Sequence, residues 1–340
     1  MKRIAIRLAL CAAALVCGAS LVQAQGFPAK PVRIVVPYPA GGSVDIVTRA
    51  VTQRLNAIWA QPIVIENKAG GGTQIGAEAV AKSAPDGYTL FATGMETFAI
   101  TPFMHAKLSY DADKDFTPVS GLGLSNQFLV VPATSELKSV RDLIAQAKAR
   151  PGDLQYGTIG LGGSSHINMV LFESMAGVKL TPIHFRGGAP LVTDLLGGHV
   201  PTSFLSGALV DQGIKAGKLR PIAIASKQRL PQYPDVPTFD EAGVPGFEAV
   251  SWYGLWAPSG TAREAVAKIN ADVQKVFADA EFREKFLEPN FLGSITGNAD
   301  QFAAFIKAEA GKWSKVIKDA NIRVDCAVTA ARCRRSSPPR

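Results

Sequence analysis

Pro31-Val32-Arg33-Ile34-Val35-Val36-Pro37, followed at once by Tyr38-Pro39-Ala40-Gly41-Gly42-Ser43-Val44-Asp45, decides the fold. The β-branched run closed by proline is the pattern of a short buried strand. Glycine then supplies a tight turn. Beyond it Val44, Val47, Val51, Leu55 and Ile58 recur at three- and four-residue steps, which predicts an amphipathic helix with Ser43 or Asp45 capping its start. Strand, glycine turn and helix together are the opening unit of an α/β fold.

The pattern repeats downstream. Strand Ile63-Val64-Ile65 leads through Asn67 to Gly72 into a helix over Thr73 to Lys82, and strand Tyr88 to Ala92 follows. A second series starts at Gln127-Phe128-Leu129-Val130-Val131-Pro132. It continues with a helix over Ser139 to Ala149, strand Leu154 to Gly157, turn Gly160-Leu161-Gly162-Gly163-Ser164-Ser165-His166 and a helix over Ile167 to Ala176. Ile183 to Phe185, turn Arg186-Gly187-Gly188, a helix over Ala189 to Leu196 and strands at Val200 to Leu205 and Leu219 to Ala225 complete it. The proline-dense stretch from Leu230 to Pro237 reads as a surface crossover. Trp252 to Ala257 gives one more strand, and Ala262 to Ala278 and Asp300 to Ala320 give two long helices. Continuous apolar strands alternating with helices predict parallel sheets covered on both faces.

Three glycine-rich turns each follow a strand and open a helix. Free backbone N–H groups and the helix dipole make such a terminus an anion site, and the carboxyl ends of the strands are where an open α/β sheet holds its ligand. A single Gly-Gly-Ser turn is ordinarily just a connection, so the repetition carries the argument. No Walker lysine or Gly-x-Gly-x-x-Gly spacing appears at these turns, which argues against nucleotide phosphate. His166 beside Ser164 and Ser165 raises a secreted serine hydrolase as the alternative, but neighbouring positions at a helix start do not direct a base at a hydroxyl. Asp45 reads as a helix-start partner before a general base, and Arg186 as a carboxylate partner or a solvated loop residue. His105, His184 and His199 lack metal spacing, and no cofactor is implied.

The formal net charge of +8 is mostly terminal. Lys2, Arg3 and Arg7 precede an apolar run from Leu8 to Val22, and five arginines against Asp325 fill the stretch from Arg323 to Arg340. The nearly neutral remainder has no basic stripe for nucleic acid. Met1 to Ala24 reads as a secretory signal cut after Ala24, giving an exported protein expected as a monomer in the periplasm. Cys326 and Cys333 stand in a basic tail without apolar periodicity, and residues 323–340 are expected to be disordered.

Several stretches carry a resemblance: Ile34 to Asp45, Ile65-Glu66-Asn67-Lys68-Ala69-Gly70-Gly71-Gly72, Ala84-Pro85-Asp86-Gly87-Tyr88-Thr89-Leu90, Tyr110 to Val119, Thr193-Asp194-Leu195-Leu196-Gly197-Gly198, Leu230 to Thr238, and Ser251-Trp252-Tyr253-Gly254-Leu255-Trp256-Ala257-Pro258. In this order the chain resembles the tripartite tricarboxylate transporter receptors, the Bug or TctC-type periplasmic binding proteins. The resemblance implies a two-domain Venus-flytrap α/β fold with a cleft between domains, built from residues 25–123 plus 228–322 and from residues 124–227. It implies a receptor that captures a small carboxylate, an amino acid or a mono- or dicarboxylate, for membrane transporter subunits or a sensor kinase, without catalysis.

One ligand carboxylate would then sit at Tyr38, Ala40, Gly41, Gly42, Ser43 and Asp45 and at the facing turn of Gly162, Gly163, Ser164, Ser165 and His166. The rest would lie near Glu96, Thr97, Arg186, Gly187 and Ser206. Met95-Glu96 departs from the serine- or glycine-rich stretch frequent in the family, and an acidic side chain there is expected to repel a second ligand carboxylate but welcome an amine, favouring an amino acid or monocarboxylate over citrate.

Overall fold

The computed structural model describes residues 27–323, so the expected signal and the cysteine-bearing tail beyond Arg323 lie outside the described residues. The first sheet is built from β1 (Val32–Val36), β2 (Ile63–Asn67), β3 (Thr89–Gly94), β4 (Phe116–Ser125), β10 (Ser251–Pro258) and β11 (Leu292–Gly293), in the order β11-β4-β10-β3-β1-β2. The second holds β5 (Gln127–Pro132), β6 (Gln155–Thr158), β7 (Thr181–His184), β8 (Ser203–Ser206) and β9 (Leu219–Ile224), in the order β7-β6-β8-β5-β9.

Both sheets are mixed where the sequence predicts parallel ones. β1 is parallel to β2 and β3, but β10 runs antiparallel between β3 and β4. β5 is antiparallel to β8 and β9. The reason is connectivity. β4 leaves the first sheet at Ser125, and β10 returns opposite that same residue at Ser251. A strand entering at the end where another exits must run the other way.

The helix predicted after β1 forms as α1 (Ser43–Trp59) and buries Val44, Val47, Val51 and Leu55 against β1 and the late helix bearing Val266, Ile269 and Val273. Each such side chain contributes about 1.5–3 kcal/mol of transfer free energy. Ile58 is 43% exposed, and the buried residue at this end is Trp59, one turn beyond Leu55, whose indole N–H donates to Asp272 at 2.8 Å.

The helices that matter below are α2 (Gln74–Ala81), α3 (Val140–Ala149), α4 (Ser164–Ala176), α5 (Gly188–Leu196), α6 (Gly207–Lys215), α7 (Arg263–Ala278) and α8 (Ala299–Asp319). β4 and α6 went unpredicted. β4 reads poorly because it carries Gly121 and Gly123 in place of strand-forming side chains, and a Cβ at Gly121 would strike Ile295.

The chain passes between the sheets at Asn126, whose backbone N–H and Nδ2 both donate to Phe291 O, at 3.2 and 3.1 Å. Its own carbonyl accepts from Gly207 N at 3.2 Å. Residues 236–249, assigned to the first domain by sequence, pack on the second sheet. Thr238 bridges Ile224, and the Phe239 ring lies 5.6 Å from Phe204 and 4.2 Å from Phe247. The return crossover therefore falls between Ala249 and Ser251. Replacing Phe239 by Ala should cost about 3–5 kcal/mol of unfolding free energy, read as a lower denaturant midpoint.

Candidate functional site: an anion cleft at two helix starts

The turn after β1 is held by one carboxylate. Asp45, 1% exposed, accepts from Gly41 N at 2.9 Å, from Arg49 Nε at 2.8 Å and from Asn67 Nδ2 at 2.9 Å. Asn67 also donates to Tyr38 O at 3.0 Å, so the end of β2 fixes the start of the turn. Burial alone would raise the Asp45 pKa, but the donors from Arg49, Gly41 and Asn67 outweigh it and hold the group below the ordinary carboxylate value. Gly41 has φ +81°, a left-handed conformation natural to glycine.

With the turn so fixed, the first backbone N–H groups of α1, on Ser43, Val44 and Asp45, have no acceptor among the described residues. They carry the positive end of the helix dipole. Ser43 does not cap its own helix; its hydroxyl meets the buried hydroxyl of Tyr253 on β10, which also meets Ser125 at the crossover. Tyr38, at the other end of the turn, donates to Glu96 Oε2 at 2.9 Å and accepts from Gly94 N at 3.3 Å. Burial first and Glu96 second push the Tyr38 hydroxyl well above the usual tyrosine range, so it stays protonated.

The turn after β6 repeats this construction. Gly163 N donates to Gly160 O at 3.2 Å, and Ser165 Oγ accepts from Ile159 N at 2.8 Å. Gly162 N donates to His166 Nδ1 at 3.2 Å, so the histidine proton sits on Nε2. Burial, then His184, lowers the His166 pKa to about 4. The Ser164 and Ser165 N–H groups at the start of α4 have no acceptor among the described residues. Gly162 has φ +76°, and a Cβ there would sit 2.8 Å from Met104 Sδ, a residue that follows β3 of the first sheet. The second turn thus abuts the first sheet with bare backbone.

Two helix starts with open donors, one beside each sheet, are each able to hold an anion without fixed cations. Residues 47–322 match the family described as the tripartite tricarboxylate transporter family receptor, TctC. The chain belongs to this family. Protein BugT of Bordetella pertussis is 34% identical over 307 residues, covering 90% of this chain and 94% of BugT. Among solved structures, an R. palustris protein with adipate superposes with a TM-score of 0.82 at 33% identity, covering 87% of this chain and 99% of its own. MatC from Rhodopseudomonas palustris with bound malate gives 0.78 at 31% identity, covering 86% and 100%. The periplasmic-binding-protein fold, with its two sheets, is thereby established.

The expected site residues separate into groups. Gly41, Gly42, Ser43, Gly162, Gly163 and Ser164 form the two donor turns, while Tyr38 and Glu96 meet beside the first. Ala40 is exposed at the tip of that turn. Asp45 and His166 hold the turns together from behind, and the Ser165 hydroxyl is committed to Ile159. Thr97 is fully buried, its hydroxyl bonded to Thr73 at 2.9 Å and to Thr93 at 2.6 Å. It braces the chain behind Glu96. Ser206 is buried with an unpartnered Oγ, whereas Arg186 is exposed with Gly187 beside it at the start of α5.

The hydrolase geometry is absent at these serines: neither Ser164 nor Ser165 bonds His166, and the ring nearest the imidazole is His184, at 5.5 Å. Tyr253 was missed because its motif reads as a core strand; the alternation that turns its side chain toward Ser43 shows only in the register with Gly94 and Gly123.

The lowered His166 pKa sets a pH dependence. Its folded value lies below the usual histidine value of about 6.5, so the unfolded chain takes up the proton first. The stability held by neutral His166 is full above that unfolded value and falls as pH drops toward the folded value of about 4. His166→Gln should flatten this part of a melting-temperature profile measured between neutral and acid pH.

Proposed function

We propose that this chain is an exported periplasmic receptor, cut after Ala24, that captures a small organic acid by one carboxylate held between the turns at residues 38–45 and 160–166. The two lobes, each carrying one sheet, close on the ligand about the crossovers at Asn126 and at residues 249–251. The supporting observation is the pair of helix starts with free N–H groups, the second of them lying against the segment after β3 where Gly162 approaches Met104. The relatives solved with adipate and malate support the same ligand class. The receptor works as a monomer and hands its ligand to membrane transporter subunits or to a sensor. Binding without turnover is the reading that fits a Ser165 hydroxyl committed to the Ile159 N–H and serines that do not bond His166.

Ser43→Pro tests this directly. Proline is tolerated at the first position of a helix, and Gly42 before it already has the extended conformation that a following proline requires, with φ −75° and ψ 164°. The substitution removes one donor N–H and one hydroxyl while keeping the helix. Calorimetric titration with a panel of mono- and dicarboxylates should show affinity reduced about tenfold or more for whichever acid binds. The melting temperature without ligand should stay within a few degrees. Unchanged affinity would remove the turn from the binding site.

A further inference from the structure

Glu96 is the unbalanced charge of the cleft. It follows β3 at the carboxyl edge of the first sheet, beside the turn that ends β1, and is only partly buried. Its partner is the hydroxyl of Tyr38, a neutral donor, and no lysine, arginine or histidine among the described residues pairs with it. Other acids withdrawn from solvent do find cations, Asp45 with Arg49, Asp272 with Lys268 and Lys275, and Asp211 with Lys215, while Glu173 is satisfied by a backbone N–H. The place of Glu96 is also built. Gly94 has no side chain, and a Cβ there would collide with Oε2 of Glu96 and crowd the Tyr38 hydroxyl, so the glycine keeps room for the carboxylate against the tyrosine. Its field reaches the Tyr253 hydroxyl that contacts Ser43.

Resting on the carboxylate reading above, we infer that Glu96, with the Tyr38 hydroxyl fixing its rotamer, is the subsite for a cationic nitrogen, and that the ligand is an amino-bearing carboxylate. A ligand whose first carboxylate sits on the α1 turn brings its remaining atoms toward Glu96. A second carboxylate there meets like charge with no cation to offset it. An ammonium supplies the missing positive partner and up to three N–H donors for an oxygen that Tyr38 leaves free. The contrast with a dicarboxylate receptor lies in this one position, because the donors on the two helix starts serve any carboxylate.

The experiment is calorimetric titration at neutral pH with acids matched except for the amine: alanine against propionate, 4-aminobutyrate against butyrate and succinate, and 2-aminoadipate against adipate. In at least one matched set the amino member should bind at least about tenfold tighter than its unaminated partner. Glu96→Gln should erase that preference by weakening the amino acid while leaving or improving the plain acid. Should Glu96→Gln lower the melting temperature, the matched pairs on the unaltered protein still decide the matter. Equal or tighter binding of the unaminated acids and dicarboxylates overturns the amine subsite. If Ser43→Pro then weakens those acids, the carboxylate turn stands and only the role of Glu96 falls; if no acid in the panel binds, both readings fall together.

Discussion

One buried carboxylate sets the geometry of the cleft. Asp45 accepts simultaneously from the turn backbone at Gly41, from its own helix through Arg49 and from the neighbouring strand end through Asn67. Each donor alone is an ordinary charge-assisted hydrogen bond; together they fix the path of residues 38–45 relative to β1 and β2. With the side chain facing inward, the N–H groups of Ser43, Val44 and Asp45 are left to face outward. A helix start that bound its own cap would have spent the same donors. The negative charge is therefore placed behind the turn, where it organises, and not in front of it, where it would repel an anion.

The second turn reaches the same result with a neutral group. His166 accepts from Gly162 through Nδ1, and burial keeps it uncharged, so it can serve as a backbone acceptor without adding a cation to the cleft. Affinity at such a site rests on backbone donors whose positions are fixed by sheet and helix, which exchange little entropy on binding. In the binding mode proposed above, selectivity comes from nearby side chains such as Glu96, Tyr38 and Ser206.

Much of this is legible in the sequence because it depends on local chemistry. The strand from Val32 to Val36, the glycine turn and the apolar stripe of α1 follow from residue spacing. The two donor turns were readable because glycine and serine before an apolar periodicity mark a helix start. What escaped depends on pairing at a distance. The antiparallel return of β10 follows from where the chain re-enters the sheet. β4 hides behind glycines that make room for Ile295, and Tyr253 reaches Ser43 only through the register of three strands. Thr97 shows another pairing that spacing hides: its hydroxyl closes a buried chain with Thr73 and Thr93.

The contact of Gly162 with Met104 has a consequence for how such a receptor changes its diet. Where the second turn meets the helical segment after β3, the approach is made by naked backbone beside a thioether and Ile100. That contact belongs to the scaffold. Under the closure proposed above, rim residues could be exchanged one at a time while the jaws shut to the same gap.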